Sequence, residues 1–164
     1  MVRTILVDDE PRGLNTLKNL LREYCPEIKI VAECTDVDDA KDKIELLQPQ
    51  LAFLDISLPG KNSFDLLAEL DEINFEIIFV TAYNEYTLQA FHYSAVDYLM
   101  KPIDEDLLAE AVKRAEKRIA LNNINNNVSA LLHNVQSSGT PGDEVMYSFT
   151  ERVPGCRFER CSFL

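Results

Sequence analysis

Thr4-Ile5-Leu6-Val7-Asp8-Asp9-Glu10-Pro11 changes period in the middle of a short run. Thr4 to Val7 carries no charge and reads as a strand buried on both faces. The acids end it, and Pro11 marks the first turn of a helix whose Leu14, Leu17, Leu20 and Leu21 share one face. Working outward, the same beat recurs. Strand-like runs at Ile28 to Ala32, Leu51 to Leu54, Ile77 to Val80 and Val96 to Met100 alternate with amphipathic stretches. These are marked by Val37, Ala40, Ile44 and Leu47, then Phe64, Leu67 and Leu70, then Leu88, Phe91 and Ala95, and finally Leu107, Leu108, Ala111, Val112 and Ala115. Five βα units within the first 120 residues predict an α/β fold, a five-stranded doubly wound parallel sheet with helices on both faces.

The closing helix is expected to end near Leu121. Beyond it an Asn-rich stretch keeps Ile124, Val128, Leu131, Leu132 and Val135 at helical spacing, which predicts a C-terminal linker helix, either a dimerising one or a frayed, solvent-exposed extension. Ser137 to Gly142 reads as a break, and 143–164 as an irregular tail too short to hold its own core, although Val145 to Phe149 alternates like a strand. The expected division is therefore 1–120 as one domain, 121–142 as linker and 143–164 as tail.

The chain carries 16 Lys and Arg against 28 Asp and Glu, a formal charge of −12. Of these, 24 acids and 13 bases lie in residues 1–120. So acidic a chain, without a basic run, is poorly suited to bind nucleic acid by itself. No run approaches the roughly 20 apolar residues of a membrane span, and no signal-peptide pattern stands at Met1, so a cytoplasmic protein without membrane contact is expected. Cys25, Cys34, Cys156 and Cys161 match no zinc spacing and, with only His92 and His133 beside them, read as inert or merely reactive thiols.

Chemistry in an open parallel sheet gathers at the carboxyl ends of the strands. Asp8, Asp9 and Glu10 follow the first strand, Asp55 the third, Thr81 and Ala82 the fourth, Lys101 and Pro102 the fifth. Singly, each has a plainer explanation: a helix cap, a turn aspartate, a hydroxyl on the backbone, a solvated lysine. Jointly they place carboxylates, one hydroxyl and one ammonium at a single edge. Crowded carboxylates repel, and a hard divalent cation that keeps several waters, Mg²⁺, relieves them. Metal and lysine would neutralise phosphoryl oxygens while a carboxylate attacks phosphorus. A glycine-rich nucleotide loop is missing after the first strand. An aspartate-nucleophile phosphatase would want its nucleophile there and a second acid where Ser57 stands.

Asp8-Asp9-Glu10-Pro11, Leu54-Asp55-Ile56-Ser57-Leu58-Pro59-Gly60, Thr81-Ala82 and Lys101-Pro102 together resemble the signature of two-component response regulator receiver domains, over residues 2 to about 120. The resemblance implies a flavodoxin-like fold and a phosphoryl group accepted on Asp55 from a sensor histidine kinase. It further implies Mg²⁺ held by Asp8, Asp9, Asp55 and the Ser57 main-chain carbonyl, with Lys101 beside it and a cis Lys101–Pro102 bond. Thr81 would be the switch hydroxyl and Tyr98 the switch aromatic. Such a protein is a phospho-acceptor with at most slow autodephosphorylation, not an enzyme. It would pair with a second copy, once phosphorylated, through the fourth helix, fifth strand and fifth helix.

Thr81-Ala82-Tyr83-Asn84-Glu85-Tyr86, Phe91 and Ser94-Ala95-Val96-Asp97-Tyr98-Leu99 resemble the LytTR (LytR/AlgR-type) subfamily more narrowly. Its members control transcription through a C-terminal DNA-binding domain, which the tail here does not resemble. A stand-alone adaptor acting by protein contact alone is the alternative. Ser63 departs from the family, which usually has glycine there; a slightly altered loop with activity kept is the expectation.

Overall fold

The computed structural model describes residues 1–83 and 85–137, except for the side chains of Phe91 and 125–137. Asn84, the His133 side chain, both tail cysteines, the break beyond Ser137 and the strand-like stretch at Val145 lie outside the described residues.

Five strands, β1 (Val2–Val7), β2 (Ile28–Cys34), β3 (Leu51–Leu54), β4 (Glu76–Thr81) and β5 (Asp97–Met100), alternate with α1 (Pro11–Tyr24), α2 (Val37–Leu47), α3 (Ser63–Ala68), α4 (Thr87–His92) and α5 (Glu105–Ser137). The strands form one sheet in the order β2-β1-β3-β4-β5, every pairing parallel. This is the expected doubly wound, flavodoxin-like topology, with its switch point between β1 and β3.

Two apolar clusters, one on each face, explain why the central strands are continuously apolar. Ile5, Val7, Ala52, Leu54, Ile77 and Phe79 pack against α2, α3 and α4. Their alternate neighbours Leu6, Leu51, Phe53, Ile78 and Val80 pack against α1 and α5. With no wet face, a polar residue at any of these positions would be buried without compensation. Truncating Phe53 or Phe79, both fully buried, would cost about 3–5 kcal/mol.

Local chemistry sets the helix ends. Pro11 occupies the first turn of α1, which buries Leu14, Leu17 and Leu21. The Asp36 carboxylate accepts the Asp39 N–H to cap α2, and Gln48 ends that helix in the left-handed region at φ 45°. Asn62 and Asp65 form a reciprocal capping box on α3.

Three expectations change. Leu88, on the expected apolar face of α4, is 78% exposed, whereas Ala90 packs inward. Leu70 lies beyond α3, which stops at Ala68. The closing helix does not end near Leu121: α5 is one continuous element to Ser137, running through an Asn-rich stretch that holds no Gly or Pro to break it.

Candidate phosphoryl-acceptor site

Parallel register brings the strand ends together. Val7 pairs with Leu54, and Thr81 with Met100, so the residues that follow emerge side by side. Asp8 and Asp55 are 4% and 7% exposed. Each is held by local geometry: Asp8 Oδ1 accepts the Glu10 N–H at 2.9 Å, and Asp55 Oδ1 accepts the Ser57 N–H at 3.3 Å. Lys101 Nζ reaches across from the end of β5 and donates to Asp8 Oδ2 at 2.7 Å and to Asp55 Oδ2 at 2.6 Å. The Lys101–Pro102 peptide bond is cis. Burial alone would pull the Lys101 pKa down, but the hydrogen bonds and charges of Asp55 and Asp8 outweigh it and hold the ammonium above its ordinary value.

Asp8, Asp9 and Asp55 each place a carboxylate oxygen within 4.8 Å of the others. Three carboxylates against the one Lys101 ammonium leave two uncompensated negative charges among these four groups. A divalent cation supplies that balance, and an all-oxygen set fits Mg²⁺. The residues present therefore suit the metal.

Thr81 is fully buried, and its Oγ1 accepts the Tyr83 N–H at 3.4 Å. Half-buried Tyr98 packs its ring on Phe79, centroids 6.3 Å apart, while its hydroxyl donates to the Tyr83 carbonyl. Tyr83 thus joins the two expected switch residues through the two sides of its own backbone.

Two further residues shape the site. Ser63 is fully buried, and its hydroxyl donates to the main-chain carbonyl of Asp55, tying the start of α3 to that residue. The sequence marks Ser63 as unusual, but nothing in it signals this contact. Gly13 lies so close to Asp8 that a Cβ there would stand 2.3 Å from Asp8 Oδ2. Its place on the first turn of α1, under the acidic pair, is the only signal the sequence holds.

Residues 4–113 match the model of the response regulator receiver domain. The chain belongs to that family. This receiver is 38% identical over 141 residues to an uncharacterised response regulatory protein of Yersinia pestis, an alignment covering 85% of this chain and 59% of the relative. It is 37% identical over 119 residues to the sensory transduction protein LytT of Bacillus subtilis, covering 71% and 49%. It is equally similar over 115 residues to the transcriptional regulatory protein BtsR of Escherichia coli, covering 70% and 48%. The receiver chain spans about half the length of such curated relatives. Among solved structures, it is similar to the receiver domain of a putative Luxo repressor protein of Vibrio parahaemolyticus, with TM-score 0.66, 28% identity and coverage of 75% and 95%. The response regulatory domain of protein mrkE from Klebsiella pneumoniae shares the fold, with TM-score 0.67 at 24% identity and coverage of 73% and 98%. No helix among the described residues is long and apolar enough to cross a membrane.

Proposed function

We propose that this receiver accepts a phosphoryl group on Asp55 from a sensor histidine kinase and switches shape to control transcription. The observation that carries the proposal is the sharing of Lys101 by Asp8 and Asp55, with Asp9 alongside: a cationic side chain already poised where phosphoryl oxygens would arrive. When bound by Asp8, Asp9, Asp55 and the Ser57 carbonyl, Mg²⁺ would neutralise those oxygens. An Asp55 carboxylate oxygen forms the new bond to phosphorus, while the donor's bond to phosphorus breaks and the donor keeps its electron pair. Lys101 exchanges a carboxylate oxygen for a phosphoryl oxygen. The chain acts as an acceptor rather than a turnover enzyme.

Signal leaves the site through Thr81. As its hydroxyl turns to donate to the phosphoryl oxygen, it gives up the Tyr83 N–H, and Tyr83 also holds the Tyr98 hydroxyl. The surface of α4, β5 and α5 is thereby altered and becomes a contact for a second phosphorylated copy. Output through a DNA-binding domain is supported by the LytTR-type sequence after β4 and by relatives about twice as long, one of them a transcriptional regulator.

The test is intact-mass measurement after incubation with Mg²⁺ and acetyl phosphate. One acid-labile phosphoryl group is expected on the chain and none on Asp55→Asn; equal labelling of both would overturn the assignment. Thr81→Ala should still be labelled but should lose the dimer that beryllofluoride induces at low micromolar concentration.

A further inference from the structure

Within the receiver, α5 turns Leu108, Ala111, Val112 and Ala115 to the sheet, all fully buried. At 100° per residue these occupy one side of the helix. Among the described side chains, the last anchors on that side are Ile119, packed against the same cluster, and Asn122, which donates to Glu76 at 3.0 Å. Beyond them the backbone stays helical to Ser137, but the register positions of the core face are taken by Asn126, Ser129, the small Ala130 and His133.

The apolar residues have moved. Leu121, Ile124, Val128, Leu131 and Val135 fall at alternating steps of three and four, about 180° around the helix from the core face. Inside the receiver that outer line holds Glu110, Arg114 and Lys117, as a solvated face should. At Leu121 and Ile124 it turns apolar while remaining 60% and 57% exposed. A helix that only ran out into solvent would have no cause to build such a stripe, and an unpaired extension of this length is marginal in water.

We propose that the α5 extension is a parallel two-stranded coiled coil with a second copy of this chain, formed without phosphorylation. The steps of three and four are the a and d positions of a heptad. Val128 and Val135 at a with Leu131 at d is the combination that favours two strands. Charge points to the same partner. No Asp, Glu, Lys or Arg lies between Arg118 and Asp143, so the flanking e and g positions Asn125, Asn127, Leu132 and Asn134 carry no charge that would repel an identical helix or select a different one. With only two heptads the pair is weak. It holds two receivers near one another, so that phosphorylation joins partners already at high effective concentration.

Sedimentation of the unphosphorylated 164-residue chain over a series reaching about 0.2 mM tests this, a range matched to a weak complex. Dimer is expected at the upper end, and Ile124→Lys should weaken it at least about tenfold. Because Ile124 is exposed and remote from Asp55, that variant should be labelled by acetyl phosphate as the parent is. Ile124→Cys, with Cys156 and Cys161 changed to serine, should form a disulfide between copies, since parallel pairing sets residue 124 against itself. A monomer throughout the series, as when the chain's own tail covers the stripe, would overturn the proposal. So would a dimer indifferent to Ile124→Lys, or one that fails to cross-link at position 124.

Discussion

At the amino end of the sheet, Glu76 forms an ion pair with Arg118 at 3.3 Å and accepts a hydrogen bond from Asn122 at 3.0 Å; at the carboxyl end, Asp8 and Asp55 share the single ammonium of Lys101. Both ends join an earlier strand to a later part of the chain through a carboxylate and a cation. At the lower end one charge meets one charge and a neutral amide closes the set, so nothing further is called for. At the upper end carboxylates outnumber cations three to one, two of them nearly closed from water. Charge balance separates a joint that holds the fold from a site that waits for a ligand.

The contrast is sharpest at Lys101. Lys101→Ala leaves two buried carboxylates without their cation and should cost about 3 kcal/mol or more in the absence of metal. Urea denaturation in chelator measures it, and Mg²⁺ should restore more stability to this variant than it adds to the parent. An effect no larger than that of a surface pair would erase the distinction between the two ends. For the parent chain, Mg²⁺ at a hundredfold excess over its dissociation constant should add about 2.7 kcal/mol. A melting curve indifferent to millimolar Mg²⁺ would count against the metal site.

The lower end should respond less. Glu76→Gln removes a charge but keeps a hydrogen-bonding amide, and Arg118 is half-exposed and able to hydrate, so a loss of about 1 kcal/mol or less is expected. Labelling of Asp55 and the response to Mg²⁺ should stay unchanged. If Glu76→Gln altered either, the ends would be coupled rather than separate.

The smallest effect concerns thiols away from both ends. Burial first, then the Glu27 charge, pushes Cys25 up to about 11; burial first, then Asp39, pushes Cys34 up to about 12. Unfolded thiols titrate near 8.5, so this contribution to stability is whole below that pH and is lost as pH rises through 11 to 12. At pH 8 neither should react with iodoacetamide until denaturant is added. Peptide mapping checks this, and labelling of either at the rate of a free thiol would contradict it.

The sequence carried most of the fold because burial on both faces leaves an unmistakable trace: uncharged runs at β1, β3 and β4 with helical spacing between them. Edges were blurred where the trace weakens. The edge strand β2 extends to Cys34, two residues past the apolar run that announced it. α4 is so short that its spacing placed Leu88 on the wrong face. At the site, Asp8, Asp55 and Lys101 were legible because each follows a strand and topology alone converges them. Tyr83 and Ser63 were not: Tyr83 acts through its own backbone groups, which any residue possesses, and the Ser63 hydroxyl meets a main-chain carbonyl that leaves no mark in the sequence. The pairing of Glu76 with Arg118 and Asn122 joins positions more than forty residues apart and leaves no local pattern.

From Arg118 to Ser137, α5 continues for roughly 28 Å at the usual rise. Held at its base by Glu76, it has the proportions of a lever with a short inner arm and a long outer one. A tilt of about 10° at that base would carry the far tip about 5 Å, a displacement nearly equal to one helical pitch. A shift too slight to notice among the packed side chains at the fulcrum would thus reach whatever follows Ser137 as a change of address.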